Sequence, residues 1–353
     1  MKGNPWLLVS ALARTGGDAP LAKSMLLALL VCALARPALS ADYLVSTLAG
    51  FPGDSRSVDG EGTSASFGTP AGLVVDGQTE SLYIADALFN NVRAVTVGVR
   101  NYVWTLAGGG SRGGVSGSTN GVGTAALFNS PQWVSLLTSP GAWGAVALIV
   151  SDTGNHKIRR VALTGSAPLV TTMAGGGASG ASSGSTDGIG TAALFLSPQG
   201  ICVDAQGAVF VSDGNNRIRI VRTDLSVITL AGGGASGTQS GYRNALGTAA
   251  LFRGPMGIGL DSLGNVYVAD SRNNNIRVVR SSGEVITLFG GGGSGNQSGF
   301  SGGRGTAMLF SLPTGLALKG DTGELLIADT DNNCSLRRRY SPRAPRPLFP
   351  SQH

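Results

Sequence analysis

The sequence contains few of the residues that build metal sites and disulfide frameworks. Of its 353 residues, three are cysteine and two are histidine. A structural zinc site takes four cysteine or histidine ligands, and a disulfide-rich fold takes several cysteine pairs. The sequence therefore excludes a cysteine-based zinc cluster and a disulfide-dense scaffold, and it predicts that Cys202 and Cys334 are unpaired.

Charged residues are also scarce, at 13%, and the formal net charge of +6 comes largely from one end of the chain. Arginines cluster in the last seventeen residues, among several prolines. A short basic cluster can touch nucleic acid, but this composition is more typical of a solvated tail. We predict a basic, proline-rich, disordered tail over residues 341–353 and no nucleic-acid partner.

Amphipathic helical stretches of useful length are missing, whereas glycine is abundant, with 56 residues. Excess glycine without the three-residue period of collagen usually indicates disorder. Here the glycines lie between short apolar runs, which predicts glycine-rich loops connecting strands. The sequence therefore indicates an all-β protein.

The first forty residues differ in composition from the rest of the chain. Lys23 precedes an apolar run over 25–35, and small residues follow up to Ala41. This pattern predicts a signal peptide or targeting extension over 1–40, cleaved before Ala41, with Met25 as an alternative start. We expect a secreted protein, extracellular or in an organelle lumen. The run is shorter than the roughly 20 residues of a membrane span, although an uncleaved signal would anchor the chain.

About five repeats follow, each with the same four pieces. In the clearest copy these are Pro-Met-Gly-Ile from position 255, Val-Tyr-Val-Ala-Asp from 266, Asn-Ile-Arg-Val-Val from 275 and Val-Ile-Thr-Leu-Phe-Gly from 285. Short β-branched runs bounded by Gly, Asn and Asp are typical of strands and turns. Four antiparallel strands repeated radially predict a β-propeller.

The residues 255–258, 264–270 and 275–278 resemble the NHL-repeat family of propellers, and the resemblance covers roughly 43–340. It implies four-stranded blades, usually six of them, and mostly recognition roles, with some lyases. A lyase of this kind would need a histidine-rich zinc site, which two histidines cannot supply. The chain departs from the family in having five repeats, long glycine-rich connections, and Trp133 where the other repeats have glycine.

The order of the strands suggests how the ring is completed. The propeller region, 41–340, begins with an unpartnered fourth strand at 44–50 and ends after a third strand. We predict five blades closed by this N-terminal strand, because closure removes the exposed sheet edges. An incomplete six-bladed propeller is the alternative.

Each repeat supplies one aspartate at the end of its second strand and one arginine in its third strand. A ring of carboxylates would suit a cation, and a ring of guanidinium groups would suit an anion. However, Asp and Asn often bond to nearby backbone in turns, and one copy per repeat indicates a structural role. These rim and turn residues are Asp86, Asp152, Asp213, Asp270, Asp329, Arg93, Arg159, Arg219, Arg277 and Arg337.

Other motifs carry weaker signals. Two glycine-rich loops match G-x-G-x-x-G, but no helix follows them as dinucleotide binding requires. Asp329 opens a sequence like a calcium loop that lacks the downstream glutamate. His156 stands in a turn position held by asparagine elsewhere. Asn296 and Asn333 begin sequons for N-glycosylation.

The turns after the second strand and the long glycine-rich loops should emerge on one face, which we predict to be the binding surface. We expect a secreted, monomeric, non-enzymatic scaffold for a protein or glycan, without a cofactor. The alternative is a hydrolase or lactonase with an acidic metal site in the central channel. The apolar first strands disfavour it, while the glycine content also permits a structural wall or matrix component.

Overall fold

The computed structural model describes residues 46–339, except 112, 140, 166 and 320–323, and it leaves out the side chains of 337–339. The predicted signal segment 1–40 and the predicted tail 341–353 lie outside this range, so both remain predictions.

The described chain folds into five antiparallel sheets, one for each repeat. Blade one contains β1 (Gly60–Glu61), β2 (Pro70–Asp76), β3 (Ser81–Asp86), β4 (Asn91–Thr96) and β5 (Tyr102–Gly108). Blade two contains β6 (Gly121–Val122), β7 (Pro131–Thr138), β8 (Ala145–Asp152), β9 (Lys157–Ala162) and β10 (Leu169–Gly175). Blade three contains β11 (Gly188–Ile189), β12 (Ile201–Val203), β13 (Val209–Asp213), β14 (Arg217–Val221) and β15 (Ser226–Gly232).

Blade four contains β16 (Ala245–Leu246), β17 (Pro255–Leu260), β18 (Val266–Asp270), β19 (Asn275–Val279) and β20 (Glu284–Gly290). Blade five contains β21 (Pro313–Lys319), β22 (Glu324–Asp329) and β23 (Cys334–Arg339). The predicted all-β fold and its five propeller blades are confirmed.

The number of strands in each blade differs from the predicted four. Blades one to four have a fifth, two-residue strand outside the long fourth one, as in the order β16-β20-β19-β18-β17. The glycine-rich loop from the preceding blade supplies this strand, and Leu246 is paired with Glu284 there. Two residues are too few to show a strand period, so the pattern gave no sign of it.

The helices of the described chain are single 3-10 turns of three residues. One group follows the short outer strands and the equivalent point of blade five: Gly62–Ser64, Gly123–Ala125, Gly190–Ala192, Gly247–Ala249 and Gly305–Ala307. A second group joins the second and third strands of blades two, four and five: Thr153–Asn155, Ser271–Asn273 and Thr330–Asn332.

The hydrophobic core is divided into layers between consecutive blades. Between blades three and four, for example, Ile218 and Ala231 pack against Phe252 and Ile258. One fully buried phenylalanine from each of blades two to five occupies the same place: Phe128, Phe195, Phe252 and Phe310. Since a blade cannot cover both of its own faces, this stacking of neighbours holds the propeller together.

Glycines allow the inner strands of neighbouring blades to approach closely. A Cβ at Gly257 in β17 would overlap the carbonyl oxygen of Thr314 in β21. In the same way, a Cβ at Gly200 would overlap the carbonyl oxygen of Met256. Blade two has Trp133 at this position, and its buried ring instead fills the layer against blade three. The Pro-x-Gly motif is therefore a packing motif of the channel wall.

The predicted N-terminal strand over 44–50 is not formed in its described part, 46–50, where the backbone is irregular. The fifth sheet has three strands among the described residues. Leu48 and Ala49 nevertheless pack on the core of blade one, as Leu106 and Ala107 of β5 pack on blade two. The segment thus lies where a preceding fourth strand would lie, but its described part forms no ladder with β23.

The sequence of β23 gives a reason for the missing ladder. Cross-strand pairs of apolar side chains stabilise a sheet. The third strand of blade four has Val278 and Val279 after its arginine, whereas β23 has Arg338 and Arg339 at those positions. An additional strand therefore finds fewer apolar partners on blade five.

Candidate functional site

The turns after the second strands and the glycine-rich loops meet on one face of the propeller, as the strand order predicts. In blade four, Asn273 Nδ2 donates to the carbonyl oxygen of Gly241 at 2.8 Å. Asn274 Nδ2 donates to the carbonyl oxygen of Asn296 at 3.1 Å. We call this surface the loop-rich face.

The repeated aspartates are fully buried just beneath the loop-rich face. Asp270 shows the arrangement: its Oδ1 accepts a hydrogen bond from the backbone N–H of Arg253 at 2.7 Å. Its Oδ2 accepts from Asn273 Nδ2 and Arg277 Nη1, both at 2.8 Å. Both carboxylate oxygens thus have partners from the same blade, so the group links the turn to two strands.

The other aspartates vary this pattern. Asp152 and Asp213 pair with Arg159 and Arg219 at 2.7 and 3.0 Å. Asp86 accepts instead from the backbone N–H groups of Gly68 and Thr69, both at 2.8 Å. Asp329 accepts from Ser311 N–H and from Asn332 Nδ2, both at 2.7 Å. Each carboxylate ties its turn to the start of the first strand or to the turn itself.

The repeated arginines of blades one to four are equally buried, and each rests on a phenylalanine ring. The guanidinium carbon of Arg277 lies 5.1 Å from the centroid of the Phe252 ring. Its Nη2 donates to the carbonyl oxygen of Arg243 at 3.0 Å and to Asn244 Oδ1 at 2.7 Å. The arginine therefore fastens the incoming glycine-rich loop to the blade.

Blade one departs from the expected pairing of aspartate with arginine. Arg93 pairs with Asp59 at 2.7 Å and donates to the carbonyl oxygens of Val58 and Ser66, both at 3.0 Å. In blade one, the acceptors for the arginine come from the preceding loop. In blades two to four, the blade's own aspartate is one of the acceptors. The side chain of Arg337 lies outside the description.

Burial dominates the electrostatics of these pairs. It raises the pKa of Asp270 to about 6, while the Arg277 guanidinium and the donated hydrogen bonds act in the opposite direction. Burial also raises the pKa values of Asp152 and Asp213. Removing ions from water is costly unless their hydrogen bonds are satisfied. This geometry is what a structural role of the aspartates and arginines requires, and we retain that interpretation.

The loop-rich face also holds a cavity of about 790 Å³ where the first strands of blades two to five begin. Hydroxyl groups line it in large number: Ser130, Thr153, Ser197, Ser271, Thr314 and Thr330. Amide side chains add Gln132, Gln199 and Asn216. Among the described residues, those that line the cavity include no carboxylate, imidazole or thiol and no aromatic ring. Thr153 and Ser271 already donate to the carbonyl oxygens of Pro198 and Pro313, both at 2.6 Å. The other serine hydroxyls and the amide side chains can bond a polar molecule.

Two arginines at this cavity were not among the predicted site residues. Arg253 precedes β17 and Arg272 lies in the turn after β18, and both side chains are exposed. The cavity was not predicted, because its lining comes from turns far apart in the chain. The sequence did contain a signal, because the other repeats have no arginine at either position.

The remaining predicted features have simple local environments. His156 has a left-handed backbone, φ 57°, and its Nδ1 accepts the backbone N–H of Ser197 at 2.9 Å. Asn90 and Asn274 make the same inter-blade bond in other repeats, to Ser130 and Leu312. The histidine therefore acts as a substitute for an asparagine, and the structure gives it the contacts of a turn residue.

The structure also locates the asparagines of the two sequons and the two cysteines of the propeller region. Asn296 and Asn333 are both exposed. Cys202 and Cys334 are free thiols, and burial raises the pKa of both. Within the described residues, no three metal-ligating side chains lie together. No helix found in that part of the chain is long and apolar enough to cross a membrane.

Comparison with known proteins identifies the repeat. The family model for the NHL repeat matches residues 252–279, which run from the layer phenylalanine of blade four through β19. The predicted resemblance to the NHL-repeat family is confirmed by this match and by curated relatives of that name. NHL repeat-containing protein 2 from Bos taurus is 28% identical over 347 residues, covering 75% of this chain and 45% of that protein.

A second curated relative comes from Arabidopsis thaliana. The protein SUPPRESSOR OF QUENCHING 1, chloroplastic, is 28% identical over 293 residues, covering 80% of this chain and 26% of the relative. The chain thus spans less than half the length of either relative. Among solved structures, an auxiliary nutrient binding protein from Bacteroides ovatus aligns with a TM-score of 0.48 and 16% identity, over 83% of this chain and 75% of that one.

Proposed function

We propose that this NHL-repeat propeller is a non-enzymatic scaffold that binds a glycan in the cavity of its loop-rich face. The observation that carries the proposal is the lining of hydroxyl and amide side chains around a concave space of about 790 Å³. Sugar hydroxyls both donate and accept, and such side chains can match them in both senses. A volume of this size lies in the range of ligand sites.

The lining supports a glycan over a protein partner. The buried core of a protein–protein interface is enriched in aromatic residues, and the residues that line this cavity include none. Gln199 adds a specific point, because its Oε1 is buried without a hydrogen-bond partner among the described residues. Buried polar atoms are normally satisfied, and a ligand hydroxyl would donate to this oxygen.

The same lining favours binding over hydrolysis. General acid–base catalysis most often uses His, Glu, Asp, Lys, Tyr or Cys near the substrate, and none of these lines the cavity. The nearby repeated aspartates accept hydrogen bonds from their own blades, as Asp270 does from Arg253 N–H, Asn273 and Arg277. The hydrolase alternative would need these carboxylates to exchange their partners for a metal ion.

Export and glycosylation complete the proposal. We propose that the predicted signal over 1–40 directs the chain out of the cytosol and that the exposed Asn296 and Asn333 accept N-glycans. Sequencing the N-terminus of the native protein should find Ala41, and glycosidase treatment should lower its apparent mass. An N-terminus upstream of Lys23 would contradict cleavage.

Binding of the full chain to an array of defined glycans tests the proposed function. We expect a restricted set of glycans to bind, and Gln199→Leu to weaken their binding about tenfold, because one buried amide contact is lost. Gln206→Leu is the matched control, since Gln206 is exposed in the hairpin between β12 and β13, at the opposite face. Binding that Gln199→Leu leaves unchanged would contradict a cavity site.

A further inference from the structure

The positive charge at the cavity comes from two arginines of a single blade. Arg253 and Arg272 both belong to blade four and both line the cavity. In blades one, two, three and five, the position of Arg253 holds Gly68, Asn129, Leu196 and Ser311. The position of Arg272 holds Leu88, Gly154, Gly214 and Asp331. A structural requirement of the fold would recur in each blade, and these arginines do not recur.

The two arginines are held next to each other by the backbone. Arg272 N–H donates to the carbonyl oxygen of Arg253 at 3.1 Å. The side chain of Arg272 runs alongside Gly254, since a Cβ built there would lie 3.1 Å from Cγ and Cδ of the arginine. Among the described residues, neither guanidinium group has an ion-pair partner.

The buried carboxylate of the same blade already has its own partners. Asp270 is fully buried and bonds Arg277, Asn273 and the backbone N–H of Arg253. Asp331 takes the place of Arg272 in the next blade and is not part of the cavity lining. Two like charges in a concave site concentrate a positive potential there. An anionic ligand group would relieve their mutual repulsion.

Guanidinium chemistry specifies the kind of anion. The planar group forms paired, charge-assisted hydrogen bonds to flat or tetrahedral oxyanions such as carboxylate and sulfate. The partly exposed side chains of Ser197 and Gln199 in the same lining suit the uncharged part of a sugar. A ligand that bonds both the arginines and the uncharged polar side chains of the cavity is polyhydroxylated and carries an acid group.

We propose that the cavity binds an acidic sugar, with its carboxylate or sulfate group held by Arg253 and Arg272 and its hydroxyls held by the Ser, Thr and Gln lining. This inference rests on the proposed glycan-binding function and specifies its ligand. It assigns to blade four the role of selecting charged over neutral glycans.

Calorimetric titration of the full chain tests the proposal with matched sugars. The probes are trigalacturonic acid, its methyl ester, which keeps the sugar and removes the charge, and a sulfated disaccharide. We expect the acid to bind about tenfold to a hundredfold more tightly than the ester, as charge-assisted bonds predict. Tighter binding of the sulfated probe would assign the acid group as sulfate. Increasing salt should weaken the charged interaction.

Arg253→Gln and Arg272→Gln should each remove most of the preference for the acid and leave ester binding unchanged. Arg222→Gln is the control, because Arg222 is exposed in the hairpin after β14, on the opposite face, and the variant loses the same charge. Both cavity arginines are exposed, so their variants are expected to melt like the wild-type chain.

Three results would overturn the proposal. Equal binding of acid and ester would remove the anion subsite and leave the glycan function standing. Binding of a poly-glutamate peptide with no binding of any sugar would overturn the glycan function as well. A preference for the acid that survives both arginine variants would show that the charge is recognised elsewhere.

Discussion

Arg277 and Arg272 carry the same group in the same blade but lie in opposite environments. Arg277 is fully buried on Phe252, is bonded to Asp270, and has a counterpart in the third strand of every repeat. Arg272 is exposed at the cavity and has no counterpart. The comparison suggests that charges repeated in each blade maintain the fold, whereas charges found in one blade serve the ligand.

The largest expected difference in stability is between alanine variants of two phenylalanines. Phe252 is fully buried beneath Arg277, whereas Phe300 is 67% exposed in a glycine-rich loop. Phe252→Ala should lower the free energy of unfolding by about 3–5 kcal/mol, because a buried ring is lost and a cavity remains. Phe300→Ala should change it by less than about 0.5 kcal/mol. Urea denaturation of both variants measures the difference, and equal midpoints would contradict the layered core.

Substitutions of two glycines compare the channel wall with the glycine-rich loops. Gly257→Val should cost about 1–3 kcal/mol of stability, because the new side chain would overlap the backbone of Thr314. Gly293→Val is the control, because nothing lies within 4 Å of a Cβ there. Thermal melts of the two variants test whether close packing of the inner strands is required. A Gly257 variant that melts like the control would disprove it.

The smallest expected effect concerns His156. Burial lowers its pKa, and its Nδ1 must be unprotonated to accept the Ser197 N–H. Since the folded pKa is below the unfolded value of about 6.5, the folded chain binds fewer protons, and stability is lost as pH falls through this window. His156→Asn keeps the acceptor without the titration.

We therefore expect His156→Asn to match or exceed wild-type stability by a few tenths of a kcal/mol at pH 7, with a larger advantage at pH 5. Melting temperatures across this range measure the difference. Asp270, whose pKa burial raises to about 6, titrates in both proteins, so its contribution cancels. An advantage that does not grow at acid pH would contradict the assigned hydrogen bond.

Much of the fold was predictable because it repeats. The strands ending at Asp270 and Gly290 follow from apolar runs bounded by turn residues, and five copies of them give five blades. The two-residue outer strands were missed because they arise from tertiary pairing and carry no period of their own. The N-terminal strand was predicted from strand order alone, and the arginine-rich β23 offers it few apolar partners.

The candidate site could be predicted only in part. The strand order indicated the face, but the cavity brings together Gln199, Ser271 and Thr314 from three blades, which no local pattern can show. The repeated aspartates drew attention because they recur, and recurrence is the property of structural residues. Arg253 and Arg272 could have been found by looking for positions where one repeat departs from the others.

The different roles of repeated and unrepeated arginines are tested by measuring urea unfolding and trigalacturonate binding for both Arg277→Gln and Arg272→Gln. Arg277→Gln should lose about 3–5 kcal/mol of stability, because the buried Asp270 loses its counter-ion. Arg272→Gln should keep its stability within about 0.5 kcal/mol and lose affinity for the acid. If Arg272→Gln unfolds as readily as Arg277→Gln, or if it binds the acid like the wild-type chain, the division between repeated and unrepeated arginines is wrong.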